Sequence, residues 1–203
     1  MHSFLVRSRA FGVGLFCLVA ALTAGLSTEA AATTLDFENT GVPLSDEPKP
    51  LPDGYGGLHW ANFYISLGLQ GTSGFVAAFN GEAGPADLTS DVAIDLTSAT
   101  FTAAWNNGLG VLVTGFRNGV QLYSTHFTVD VAGPYLMVFN WTGVDSVHFV
   151  SAGGVNAGLG GVGAHFVMDN LTYQVATTPI PPALLLFGTA LGGLAIAARK
   201  RVA

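Results

Sequence analysis

The side chains able to do chemistry are few and dispersed. His59, His126, His148 and His165 fall one to each apolar run, with no His-x-His or His-x-x-x-His spacing. Imidazoles bind metal only where folding gathers them, so these read as isolated strand histidines facing solvent. Carboxylates come in near pairs: Asp36 with Glu38, Asp46 with Glu47, and Asp91 with Asp95. A glycosidase must hold two carboxyls about 5–10 Å apart across a cleft, and nothing marks any of these pairs for that task. The sequence has no Gly-x-Ser-x-Gly elbow, no P-loop and no His-Glu-x-x-His. Its one cysteine, Cys17, lies in an N-terminal apolar run. Removing that run leaves no thiol nucleophile, no disulfide and no cysteine zinc site. No constellation meets the demands of role and geometry, so the expectation is a protein that is not an enzyme.

Two binding chemistries remain. Asp36 and Glu38, at i and i+2, share a face of the first predicted strand, and Asp169 and Asn170 lie on the last. First and last strands are often neighbours in sandwiches, so these four could offer oxygens to Ca²⁺. The competing reading is that they finish strand ends and stay solvated, since no EF-hand-like loop is present. Trp60 and Tyr64 follow the run Gly54-Tyr55-Gly56-Gly57. Their rings suit stacking on a sugar, and equally suit a core. The run Gly153–Gly163 reads as a long loop without the strand-then-helix context of a phosphate-binding fingerprint. Asn140-Trp141-Thr142 and Asn170-Leu171-Thr172 match the glycosylation sequon but read as turn and strand-end residues.

The elements that must position these residues are strands. Short β-branched and aromatic runs alternate with turn signals, and no ten-residue window has convincing helical periodicity. Candidate strands are Thr34–Glu38, Leu58–Ser66, Gly74–Phe79, Ala99–Trp105, Val111–Phe116, Gly119–Tyr123, Thr125–Val129, Tyr135–Asn140, Ser146–Val150 and His165–Gln174. Phe101, Ala103 and Trp105 would share one face. Asn118-Gly119 predicts a two-residue hairpin. The expected fold is all-β: a β-sandwich of jelly-roll-like path. A β-helix is the alternative, but no fixed period supports it.

Charge divides the chain into three segments. Of 203 residues only 10% are charged, and the formal net charge is −6. Five of the seven basic residues lie within ten residues of a terminus. From Thr33 to Ala176 two basic residues face twelve acidic ones, a balance of −10, which excludes a nucleic-acid groove. Residues 1–32 read as a secretory signal peptide: Arg7 and Arg9, then the uncharged run Ala10–Leu26, then Ala30-Ala31-Ala32. The expected β domain is 33–176. The rest, 177–203, contains 19 uncharged residues from Ile180 to Ala198 and then Arg199-Lys200-Arg201. About 20 apolar residues span a bilayer as a helix, and the basic stop would stay cytoplasmic.

The tail TPIPPALLLFGTALGGLAIAARKRVA resembles a PEP-CTERM sorting signal of the Val-Pro-Leu-Pro-Ala-like variant. Pro179, Ile180, Pro181, Pro182 and Ala183 occupy the motif, and Arg199, Lys200 and Arg201 the basic stop. No Glu lies between the prolines, which departs from the commonest form. LDFEN, LPDGYGGLHWANFY and HFVMDNLTY in the body also resemble segments of such proteins. The resemblance implies export from a Gram-negative bacterium through the Sec machinery and signal peptidase. It further implies anchoring in the inner membrane and processing by an exosortase. The expected destination is the cell surface or matrix, in exopolysaccharide or biofilm. A structural or adhesive role is the expectation, with an extracellular carbohydrate-binding, lectin-like module as the alternative.

Overall fold

A computed structural model describes residues 31–43, 47–69 and 74–177. The expectations for the signal peptide, Asp46 and the sorting motif with its helix and basic stop lie outside these residues, save for Ala31, Ala32 and Thr177. Twelve strands are described: β1 Thr33–Leu35, β2 Lys49–Pro50, β3 His59–Ala61, β4 Phe63–Leu67, β5 Val76–Asn80, β6 Ala86–Ala103, β7 Asn106–Asn107, β8 Leu109–Arg117, β9 Val120–Val129, β10 Tyr135–Ala152, β11 Val155–Asn156 and β12 Phe166–Val175. The domain is all-β, as the alternation predicts. One sheet runs β2-β4-β5-β12-β6-β10-β8-β9, with β1 beside β12 and β3 beside β6; β7 and β11 form a separate ribbon.

Two strands fold this sheet over on itself. β6 and β10 are 18 residues each. Along β10 the buried positions are Phe139, Trp141, Val144, Val147, Phe149 and Ser151. Period two is thus broken twice by steps of three. The register against β6 slips at the same places, where Asn140 and Gly143 have φ of 51° and 70°. Bulges of this kind bend a strand and raise its twist. The C-terminal half of β10 and the start of β6 therefore lie in one layer with β3, β8 and β9. Their other halves lie with β12, β5, β4, β2 and β1.

Rings fill the space between the layers. Phe63 of β4 meets Phe149 of β10 edge-on at 5.6 Å, and Phe101 of β6 meets Phe127 of β9 at 5.0 Å. Ring contacts run without a break from Phe37 through Trp60, Phe63, Phe149, Phe101, Phe139 and Trp141 to Tyr123. Edge-to-face and offset pairs add about 0.5–1.5 kcal/mol each beyond area burial. A Cβ at Gly115 would sit 2.8 Å from the Trp141 ring, so glycine there lets the indole pack down onto β8.

Thr33 pairs with Tyr173, so the chain enters and leaves the domain at one pole. The layer-crossing connections at the other pole are stitched together. Asn80, fully buried, donates through Nδ2 to Gly84 O and Ser151 Oγ and accepts the Phe166 N–H. Ala103 N–H donates to Asp130 O, Ala104 N–H to His165 O and Asn106 Nδ2 to Gly153 O.

Several boundaries differ from expectation. Leu58–Ser66 is two strands in different layers, broken at Asn62 (φ 58°). Gly119–Tyr123 and Thr125–Val129 are one strand, β9, and Tyr135–Asn140 and Ser146–Val150 both belong to β10. The hairpin at Asn118-Gly119 forms as its chemistry requires, with φ of 49° and 75° between the pair Arg117 and Val120.

Candidate functional site

The first and last strands are neighbours, and they bring the four expected cation ligands to one region. Leu35 pairs with Leu171, after which Phe37 (φ 59°) turns the chain inward. The Glu38 carboxylate accepts the N–H groups of Phe75 at 2.6 Å and Val76 at 3.0 Å, holding the start of β5. Asp36 accepts the Glu38 N–H at 3.2 Å. Asp169, buried in the sheet, accepts the N–H of Asn170 at 2.7 Å, where a φ of 51° makes a bulge. Tyr55 lies close to all three acids: burial first, then the charges of Asp36, Asp169 and Glu38, push its phenol above the ordinary 10.0. Among the described residues no three His, Cys, Asp or Glu side chains converge to hold a metal ion. One Glu38 oxygen is bonded to two amides, which clasps the chain after β1 to the start of β5.

The two aromatic candidates separate. Trp60 is buried, edge-on to Phe63 at 5.2 Å, with its Nε1 donating to Tyr55 O at 2.9 Å. It is a core residue, because alternation in β3 turns it inward, and offers no face to a sugar. Tyr64 is half-buried on the outward side of β4, tilted against Phe79 at 6.0 Å. It borders a small second cluster of Ala77, Ala104 and Val167, packed by Leu69, Phe79 and Trp105. Trp105 does not share the face of Phe101, because β6 ends at Ala103. The glycine-rich run is an ordered ribbon rather than a free loop. β11 pairs with β7, Ala157 N–H donates to Trp105 O at 2.8 Å, and Asn156 Nδ2 donates to Gly161 O at 2.7 Å. A Cβ on Gly161 would collide with the Trp105 indole.

The outward face of the other layer carries a polar row, with the exposed Leu112 and Leu122 beside it. Register places Ser124, Thr114, His148, Asp87 and Ala61 in one row across β9, β8, β10, β6 and β3. His148 Nδ1 and Asp87 Oδ1 are 2.6 Å apart, their side chains 37% and 44% exposed. Leu112 and Phe116 lie two residues either side of Thr114 on β8 and so flank the row. Next to it, Ser146 and His59 both pair with Thr89. His59 Nδ1 contacts Asp53 at 3.0 Å and its Nε2 lies 3.4 Å from Asp91. The hydrogen bond to Asp53, then the charges of Asp53 and Asp91, raise the His59 pKa above 6.5 and the same hydrogen bond lowers that of Asp53. His126 lies over Gly110, 2.9 Å from where a Cβ would stand. Three of the four histidines among the described residues thus face outward from one layer. The fourth, His165, bonds Asn80 O at 2.8 Å. Sequence alternation marks Thr114 and His148 as outward on their own strands, while Ser124 falls between two predicted strands; only the register aligns the three.

No helix among the described residues is long and apolar enough to cross a membrane. No protein-family model and no curated protein matches the chain. Solved structures with a similar chain path include an agarase, AgWH50C, at a TM-score of 0.40 and 9% identity, over 75% of this chain and 26% of that one. The chain thus spans about a quarter of the agarase's length.

Proposed function

We propose that this is an exported surface or matrix protein without catalytic activity, a structural or adhesive component of exopolysaccharide or biofilm material. The N-terminal leader would direct it to the Sec machinery and signal peptidase of a Gram-negative cell. The tail would hold it in the inner membrane until an exosortase-type protease cuts near Pro179–Ala183. The observation that carries this reading is the order of the tail: proline motif, uncharged run Ile180–Ala198, then Arg199-Lys200-Arg201. A jelly-roll path for the folded-over sheet belongs to the same proposal. The test is fractionation of producing cells carrying either the whole chain or a chain ended after Ala176. The whole chain is expected in the membrane and then at the surface, and the shortened one free of both. Identical distributions would remove the sorting role.

An extracellular carbohydrate-binding module is the second reading. The outward row of hydroxyl, imidazole and carboxylate groups on β9-β8-β10-β6 favours it, because such groups match the donors and acceptors of a polyhydroxylated chain.

A further inference from the structure

We propose that this row, Ser124, Thr114, His148 and Asp87 flanked by Phe116 and Leu112, is a binding surface for a neutral polysaccharide. The proposal rests on the carbohydrate-binding reading and adds the face and the ligand class. Five strands at about 4.8 Å spacing make the row about 19 Å long, room for several sugar rings in line. The chemistry changes along it: the exposed Ser124 hydroxyl that donates and accepts, the buried Thr114 beneath the middle of the row, then an imidazole oriented by a carboxylate. The His148–Asp87 contact at 2.6 Å fixes the ring, so His148 Nε2 is presented without a further ordering cost. Ser124 likewise has little side-chain entropy to lose. Phe116, half-buried on the same side of β8, supplies an apolar flank for a sugar ring face. Ala61 ends the row with a methyl group beside Asp87, which keeps the carboxylate open.

Charge selects the class of glycan. The row contains no lysine or arginine, and the nearby Arg117 is directed to Asp145 at 3.8 Å. Asp53, Asp87 and Asp91 place three of the twelve acids of a domain at −10 on this face, so a uronate or sulfated chain meets repulsion and a neutral one does not.

The test is affinity electrophoresis of the full chain in detergent, through gels containing laminarin, galactan, dextran or alginate. Retardation is expected in at least one neutral gel and not in alginate. Asp87→Asn and His148→Ala should each weaken it at least tenfold, while Val138→Ser, on the other layer, should not. Retaining the parent melting temperature shows that each variant folds. If a neutral glycan still retards both row variants fully, the assigned face is wrong and the carbohydrate reading stands. No retardation in any gel overturns both. Retardation by alginate alone overturns the neutral-ligand assignment.

Discussion

The two outward faces of this folded-over sheet begin alike and finish differently. On β4, β5 and β12 the outward side chains include Tyr64, Phe79, Ala77 and Val167. Trp105 packs against that cluster, and Gly161 packs on Trp105. On β9, β8, β10 and β6 they are Ser124, Thr114, His148 and Asp87; Thr114 is buried among its neighbours, and the other three remain partly in solvent. An apolar patch gains about 25 cal/mol for each Å² taken from water, which repays ordering a glycine-rich ribbon against it. A polar row gains nothing comparable. The contrast separates the β4-β5-β12 patch, covered by the chain's own ribbon, from a polar row that no segment among the described residues covers; on the same layer as the patch, Leu136 and Val138 of β10 stay exposed.

The strongest way to break the contrast is to remove what both faces share. Phe101→Ala opens the ring column between the layers and should cost about 4 kcal/mol in urea unfolding. Both faces should be lost in one transition; two transitions would mean the layers are independent. Asn80→Ala leaves the Phe166 N–H, the Gly84 carbonyl and the Ser151 hydroxyl without this partner, an expected loss of about 3 kcal/mol by the same measurement. Gly161→Val attacks only the covered face and should cost about 2 kcal/mol. His148→Ala on the open face should change stability by less than about 0.5 kcal/mol. Equal effects of these two substitutions would erase the distinction.

Glu38→Gln weakens the clasp and should cost about 1.5 kcal/mol. The melting temperature should be the same with EDTA and with excess calcium; a calcium-dependent rise would restore Asp36, Glu38, Asp169 and Asn170 as ligands. The smallest effect is on the open face. By NMR, His59 should titrate above 6.5 and fall toward that value in Asp53→Asn. Its raised pKa favours the fold below 6.5, and that contribution disappears as pH rises through the folded value. The lowered Asp53 pKa favours the fold above 3.8, and that contribution disappears as pH falls through the folded value. Both groups are exposed, so the shift in titration is the reliable readout.

Local chemistry in the sequence reveals the strands and the tight turn. Asn118-Gly119 demands two positive φ angles and receives them. The bends of β6 and β10 are not legible, because a bulge shows in sequence only as a broken alternation and looks like the end of a strand. Hence β10 reads as two strands, and the first half of β6, with Asp87, Asp91 and Asp95, reads as none. The glycine run looks like a loop because its partner, Trp105, is a distant residue. The acids of the clasp are legible by position, but their role is not. Nothing near Glu38 in sequence says that its oxygen will meet the amides of Phe75 and Val76. The polar row needs four registers at once.

The pairing of β12 on both edges bears on how the domain would carry force. β12 lies between β6 on one side and β5 with β1 on the other, and the chain continues from its C-terminal end. Tension drawn through that end pulls β12 along its own length. The hydrogen bonds on both edges then resist together in shear, where peeling would break them singly. Resistance to such a pull is set by the rate of unfolding rather than by equilibrium stability. A strand clamped this way suits a module that bears load along the chain leaving β12.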